Sequence, residues 1–334
     1  NYIALNRIGE TSAGAALGNT LAGIYIRHAP NNTILGNLVR FNSGAGAVSV
    51  CGDPTTCPGP VLGTPGNNAN VTFLTNNTIT GNLNAGVWIN GAPDAQVSGN
   101  DVSNNGHDAN AVTFNGILIA GVGTTGTQIV NNTVNGNARA GVLIVGTGNT
   151  GNRIQNTTFT GNGTLAIDLG VHATGLTSED GVTPNDAGDA DTGPNNRQNF
   201  PTITQALDNG FVQGTLNSAP FAGYFLQFFA STTCNASGAD AQRNLGGASV
   251  LTDGAGNGVF STTLTAAPVN GEYVVAKAMD LAGNTSEFSA CFQATIASAD
   301  IALSISDSPD PVVVGQDVTY TYVATNNGPA PATN

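Results

Sequence analysis

One frame recurs along the first half of the chain and limits its fold more than any other feature. It reads I-x-[GN]-N-x-[IV]-x-x-N, with copies at Ile34/Asn37/Val39/Asn42, Leu74/Asn77/Ile79/Asn82, Val97/Asn100/Val102/Asn105, Ile129/Asn132/Val134/Asn137 and Ile154/Thr157/Phe159/Asn162. A second apolar element follows each frame, as in Gly23-Ile24-Tyr25-Ile26, Gly86-Val87-Trp88-Ile89, Gly116-Ile117-Leu118-Ile119 and Gly141-Val142-Leu143-Ile144. Successive frames at 77, 100, 132 and 157 are 23, 32 and 25 residues apart, a coil of three short strands with loops inserted in some turns. No helical period is present. One such coil cannot bury its apolar side, whereas coils stacked about 4.8 Å apart can. The spacing therefore predicts an all-β chain that opens with a right-handed parallel β-helix of about six rungs over residues 1–170.

The asparagines have a physical task in that arrangement. Asn and Gly tolerate the left-handed backbone of a sharp corner, and stacked amides hydrogen-bond from rung to rung. Two ladders are predicted: Asn37, Asn77, Asn100 and Asn132 in one, Asn42, Asn82, Asn105, Asn137 and Asn162 in the other. The pattern resembles the repeats of secreted bacterial right-handed parallel β-helix proteins, related in fold to pectate lyases. The resemblance covers residues 1–170 and implies a fold rather than an activity.

Beyond Leu169 the rhythm stops. Residues 171–198 form an acidic joint in which Asp180, Asp186, Asp189 and Asp191 alternate with turn residues. Convergent carboxylates and carbonyls are how calcium loops work, although the EF-hand spacing is absent and a solvated acidic linker is the alternative. Residues 199–297 alternate in period two, predicting an antiparallel β-sandwich. Their segment "AKAMDLAGNTSEFS" is similar to bacterial Ig-like domains, which commonly serve as spacers or stalks. Residues 298–334, with Ser308-Pro309-Asp310-Pro311 and Thr319-Tyr320-Thr321, resemble the opening strands of the surface repeat called domain of unknown function eleven (DUF11). An incomplete sandwich exposes strand edges. Either the chain continues past Asn334, or these strands pair with a neighbouring copy.

Composition narrows the partners. Lys and Arg number 8 against 21 Asp and Glu, a net charge of −13, which argues against nucleic acid and anionic membranes as partners. No apolar run approaches the roughly 20 residues of a membrane span. Asn1 in place of an initiator Met suggests a processed or partial chain. The four cysteines are read as Cys51–Cys57 and Cys234–Cys291 disulfides, which places the protein outside the cytosol. The sequon Asn284-Thr285-Ser286 is weak evidence of glycosylation.

Catalytic constellations are sparse. The arginines and acids of the first half do not recur at one frame position, and His28, His107 and His172 lack the clustered carboxylates a glycoside hydrolase uses. No catalytic residue is assigned and no enzymatic activity is expected. One outward row stands out: Tyr25, Ser49, Trp88, Leu118, Leu143 and Asp168 fall between inward residues on successive rungs. Tyr25, Trp88, Leu118 and Leu143 form a candidate strip for sugar stacking or subunit docking, unless an insertion covers them. The sequence thus points to an extracellular structural or adhesive protein, a fibre or stalk subunit assembled head to tail. A polysaccharide-binding or lyase-like β-helix is the other reading.

Overall fold

The computed structural model describes every residue except 45, 53–70, 108–113, 171–178, 236–237, 329–331 and 333–334. The first half winds through three parallel sheets, each of six strands, so that every turn contributes one strand to each sheet. In the first sheet Ile34, Leu74, Val97, Ile129 and Ile154 are register partners, and in the second Val39, Ile79, Val102, Val134 and Phe159. In the third, Ile24, Val48, Val87, Ile117, Val142 and Ile167 follow one another. Nearly all are fully buried in one continuous core. Burying a side chain of this size contributes about 1.5–3 kcal/mol, and no single rung could collect that alone.

The corners separate two tasks that the sequence frame left merged. The residue before each ladder position is left-handed: Gly36, Asn76, Gly99, Asn131 and Asn156 at one corner, and Phe41, Gly81, Asn104, Gly136 and Gly161 at the other, all have φ between 51° and 66°. The following residue turns inward and bonds. Asn37, Asn77 and Asn100 each donate Nδ2 to the next rung's Oδ1 at 3.0 Å, ending at Asn132. Asn42, Asn82, Asn105 and Asn137 do the same at 2.9–3.1 Å, ending at Asn162. Each Oδ1 also accepts the preceding rung's backbone N–H, so the ladders satisfy main-chain donors that the sheets leave free at the corners. Phe41 is the exception, a bulky residue held where Gly or Asn is favoured.

A second unit consists of two antiparallel sheets sharing a core. Thr202–Ala206, Phe211–Asn217 and Asn257–Thr263 form one, and Arg243–Leu251, Gly223–Ser231, Tyr273–Asp280 and Phe292–Gln293 the other. Phe228 and Phe260 meet between them with ring centroids 5.5 Å apart. Cys234 and Cys291 are disulfide-bonded. Cys51 is also disulfide-bonded, while Cys57 lies outside the described residues.

This unit closes the last rung instead of standing off from it as a spacer. Phe229, Val275 and Phe288 join the β-helix core, with Phe159 and Phe288 edge to face at 6.0 Å. The N–H groups of the final rung, which another rung would otherwise take, find side chains. Gly151 donates to Asn284 Oδ1 (2.6 Å), Ile154 to Thr285 Oγ1 (3.0 Å), Asn156 to Gln227 Oε1 (3.1 Å) and Gly161 to Asp240 Oδ1 (2.9 Å). Phe159 and Ala241 exchange two backbone hydrogen bonds. The buried Lys277 donates Nζ to the Ile154 carbonyl at 2.6 Å. An open rung is a template for further strands, and here it is occupied. The sequon at Asn284, weak evidence of glycosylation from the start, is consequently buried.

The last described element is a hairpin of Ile301–Ser308 and Thr319–Asn326, antiparallel and exposed at every position.

Candidate functional site

The acidic joint is folded onto its neighbours. Asn195, Gln198 and Asn199 are buried. Asn195 Oδ1 accepts the Asn152 N–H at 2.9 Å, continuing a third, mixed ladder through Thr127 and Asn152 that the sequence reading missed. Its signal lay two residues before each first-sheet apolar position, at Asn32, Thr72, Ala95, Thr127 and Asn152, but the residue type varies.

Of the four aspartates singled out, the fold brings three together. Asp186, Asp189 and Asp191 each place a carboxylate oxygen within 4.8 Å of the others. Asp180 is elsewhere, paired with Arg197 at 3.3 Å, and the Thr183 N–H is held by Glu287 of the second unit before the joint reaches the other three. Asp189 is left-handed and accepts from Asn199 N–H (2.9 Å) and Ser218 Oγ (2.7 Å). Burial pushes its carboxyl up to about 6 despite those bonds. Burial also raises Asp191, whose Oδ1 is enclosed without a partner. This set is suited to a hard cation such as calcium, an oxygen-ligated ion.

The outward row is aligned as the frame implies: Tyr25, Ser49, Trp88, Leu118, Leu143 and Asp168 are successive register partners. It is not an open strip, however. Trp88, Leu118 and Leu143 are 7%, 1% and 0% exposed and form a second apolar cluster on the outer face with Ala120, Ala140 and Val145. Left in water, a row of this size would forfeit several kcal/mol, and the fold closes it. Only Tyr25, at 39%, reaches solvent.

Two cavities adjoin the junction. One of about 600 Å³ lies between Gln128, Arg153 and Gln155 on the first sheet and Phe225, Met279 and Asp280 of the second unit. Arg153 Nε is enclosed there without a hydrogen-bond partner. The other, of about 300 Å³, is lined by Arg139, Thr164, Leu165, Asp168, Glu179, Gly181 and Val182. Of the histidines considered, the His107 ring contacts the Gly136 carbonyl at 2.7 Å, and His172 lies outside the described residues.

Residues 66–162 match the family described as "Right handed beta helix region". That stretch is a right-handed β-helix. The same strand register runs beyond it in both directions, from Tyr2 to Asp168. No curated protein matches the sequence. Among solved structures, "Geobacillus virus E2 - ORF18" is similar at 13% identity and a TM-score of 0.34, covering 78% of this chain and 52% of that one. The chain thus spans about half the length of that structure. No helix among the described residues is long and apolar enough to cross a membrane.

Proposed function

We propose that this chain is a non-enzymatic extracellular structural or adhesive protein, in which the β-helix is a rod, the second unit an Ig-like cap and the terminal hairpin a pairing element. The observation that carries this is the hairpin. Ile301, Leu303, Ile305, Tyr320, Tyr322 and Val323 are 51–63% exposed on a two-stranded ribbon with no third strand beside it among the described residues. Such ribbons are marginal alone and recruit further strands. In this reading they complete a DUF11-like sheet with a neighbouring copy, building a fibre head to tail. The Cys234–Cys291 disulfide favours an oxidising location. Calcium bound by Asp186, Asp189 and Asp191 would stiffen the joint between rod and cap.

Light scattering and electron microscopy of the chain, with and without residues 299–334, test the proposal. Concentration-dependent oligomers or filaments that vanish on truncation are expected, and a monomer at all concentrations overturns it. A second reading, a polysaccharide-binding or lyase-like protein, draws on the cavity lined by Arg153, two glutamines and the Phe225 ring. Retention of acidic glycans, or release of unsaturated uronides from pectin or alginate, would favour it.

A further inference from the structure

The strongest unspent interaction in the molecule is at the smaller cavity. Asp168 ends the outward row of the third sheet; it is 0% exposed and lines the cavity, no side chain bonds to its carboxylate, and the Gly181 N–H beside it makes no well-formed hydrogen bond. A buried ionised carboxylate with no partner is among the costliest arrangements a protein can adopt.

The groups around it do not supply a counter-charge. Glu179, from the joint, is held by Arg139 Nε (2.8 Å), Ala140 N–H (3.2 Å) and Thr164 Oγ1 (3.1 Å). Asp180 pairs with Arg197 at 3.3 Å. Glu287, reaching in from the second unit, accepts the Leu169 and Thr183 N–H groups at 2.8 and 2.7 Å. Four carboxyl groups therefore face two guanidiniums that are already engaged, a shortfall of two positive charges. Two protons would supply it. Burial first, then the neighbouring Glu287, Glu179 and Asp180, push Asp168 up to about 8, and burial pushes Glu287 up to about 7. One divalent ion would supply it equally well.

We propose that this cavity is a binding site for a single hard divalent cation, held directly by Asp168 and by the field of Glu179, Asp180 and Glu287. The carboxylates do not converge as Asp186, Asp189 and Asp191 do, so the ion keeps most of its water, the manner in which magnesium is commonly bound through one or two carboxylates. A cavity of about 300 Å³ has room for that, at about 30 Å³ per water. The β-helix and the joint line the site, and Glu287 of the second unit is bonded to both beside it, through the Leu169 and Thr183 N–H groups. Occupancy would pull the cap onto the rod.

The test is calorimetric titration of the full chain with CaCl₂ and with MgCl₂ at about pH 6, 7 and 8, in buffers of different ionisation heat. Asp186→Asn with Asp191→Asn serves as the background, removing the joint's own aspartate cluster. One ion per chain is expected, with protons released on binding and affinity rising up to about tenfold per pH unit for each proton displaced. Asp168→Asn abolishes the event. The proposal is overturned by absence of binding at millimolar cation, which leaves protons alone in the cavity, or by Asp168→Asn binding with unchanged affinity and pH dependence. Should that variant not fold, thermal melting of the background protein decides. A melting temperature raised by cation at pH 8 and not at pH 5 supports the site, and an equal rise at both overturns it.

Discussion

Asn100 offers the sharpest test of what the ladders do. Its Nδ2 contacts Asn132 Oδ1, the Leu74 carbonyl and the Ser98 carbonyl at 2.9–3.1 Å, and its Oδ1 accepts from Asn77 N–H and Nδ2 at 2.9 and 3.0 Å. Asn100→Ala removes all five bonds inside a closed core and leaves the Asn77 N–H without an acceptor. An orphaned buried donor costs about 1–3 kcal/mol, and the four other bonds, whose partners keep some alternatives, bring the total to about 3–5 kcal/mol. For a cooperative unit of this size that is a fall of roughly 10 °C in melting temperature. Asn6 is the control. It is exposed at the open end, where it donates to Asn37 Oδ1 at 3.0 Å, and Asn37 keeps the Asn6 backbone N–H. Asn6→Ala is expected to cost under about 1 kcal/mol. Urea and thermal unfolding by circular dichroism measure both. Equal costs at the two positions would refute the ladder argument, because they would mean the amides are interchangeable with water.

Three further outcomes follow from burial and charge at the junction. In a chelator, stability falls as pH rises from about 5 to 7: Asp168 and Glu287 keep their protons when folded and lose them when unfolded, each contributing a slope of up to about 1.4 kcal/mol per pH unit. Asp168→Asn flattens that slope, and a slope of opposite sign would be incompatible with the buried acids; Lys277, lowered to about 7 by burial and Arg153, acts oppositely but only above that pH. Thr285→Val strands the Ile154 N–H and is expected to cost about 1–3 kcal/mol, with faster amide exchange over residues 151–161; unchanged exchange there would show that the cap does not seal the rung. Leu118→Ala is expected to cost about 2–5 kcal/mol and Tyr25→Ala far less, whereas similar small values for both would return the row to an open strip.

The rod was legible from spacing because a parallel coil repeats its own environment. Every residue of a rung meets its equivalent one coil later, so Ile34, Leu74, Val97, Ile129 and Ile154 reveal their register without any knowledge of long-range contacts. The same holds for the two asparagine ladders and for the outward row, whose alignment was correct even where its exposure was not. Exposure depends on what lies over a sheet, and the frame carries no trace of that. Nor does it carry the cap. Gln227, Asp240, Asn284 and Thr285 lie 71 to 133 residues from the N–H groups they satisfy, and Lys277, the sole lysine, reads locally as one more strand residue. Local pattern set which residues turn inward and where the coil bends, since period and corner chemistry act over a few residues. Only the tertiary structure decided that the second unit seals the last rung, and that Asp168 shares a cavity with Glu179 within the field of Asp180 and Glu287, because burial and electrostatic fields are properties of what has been brought together.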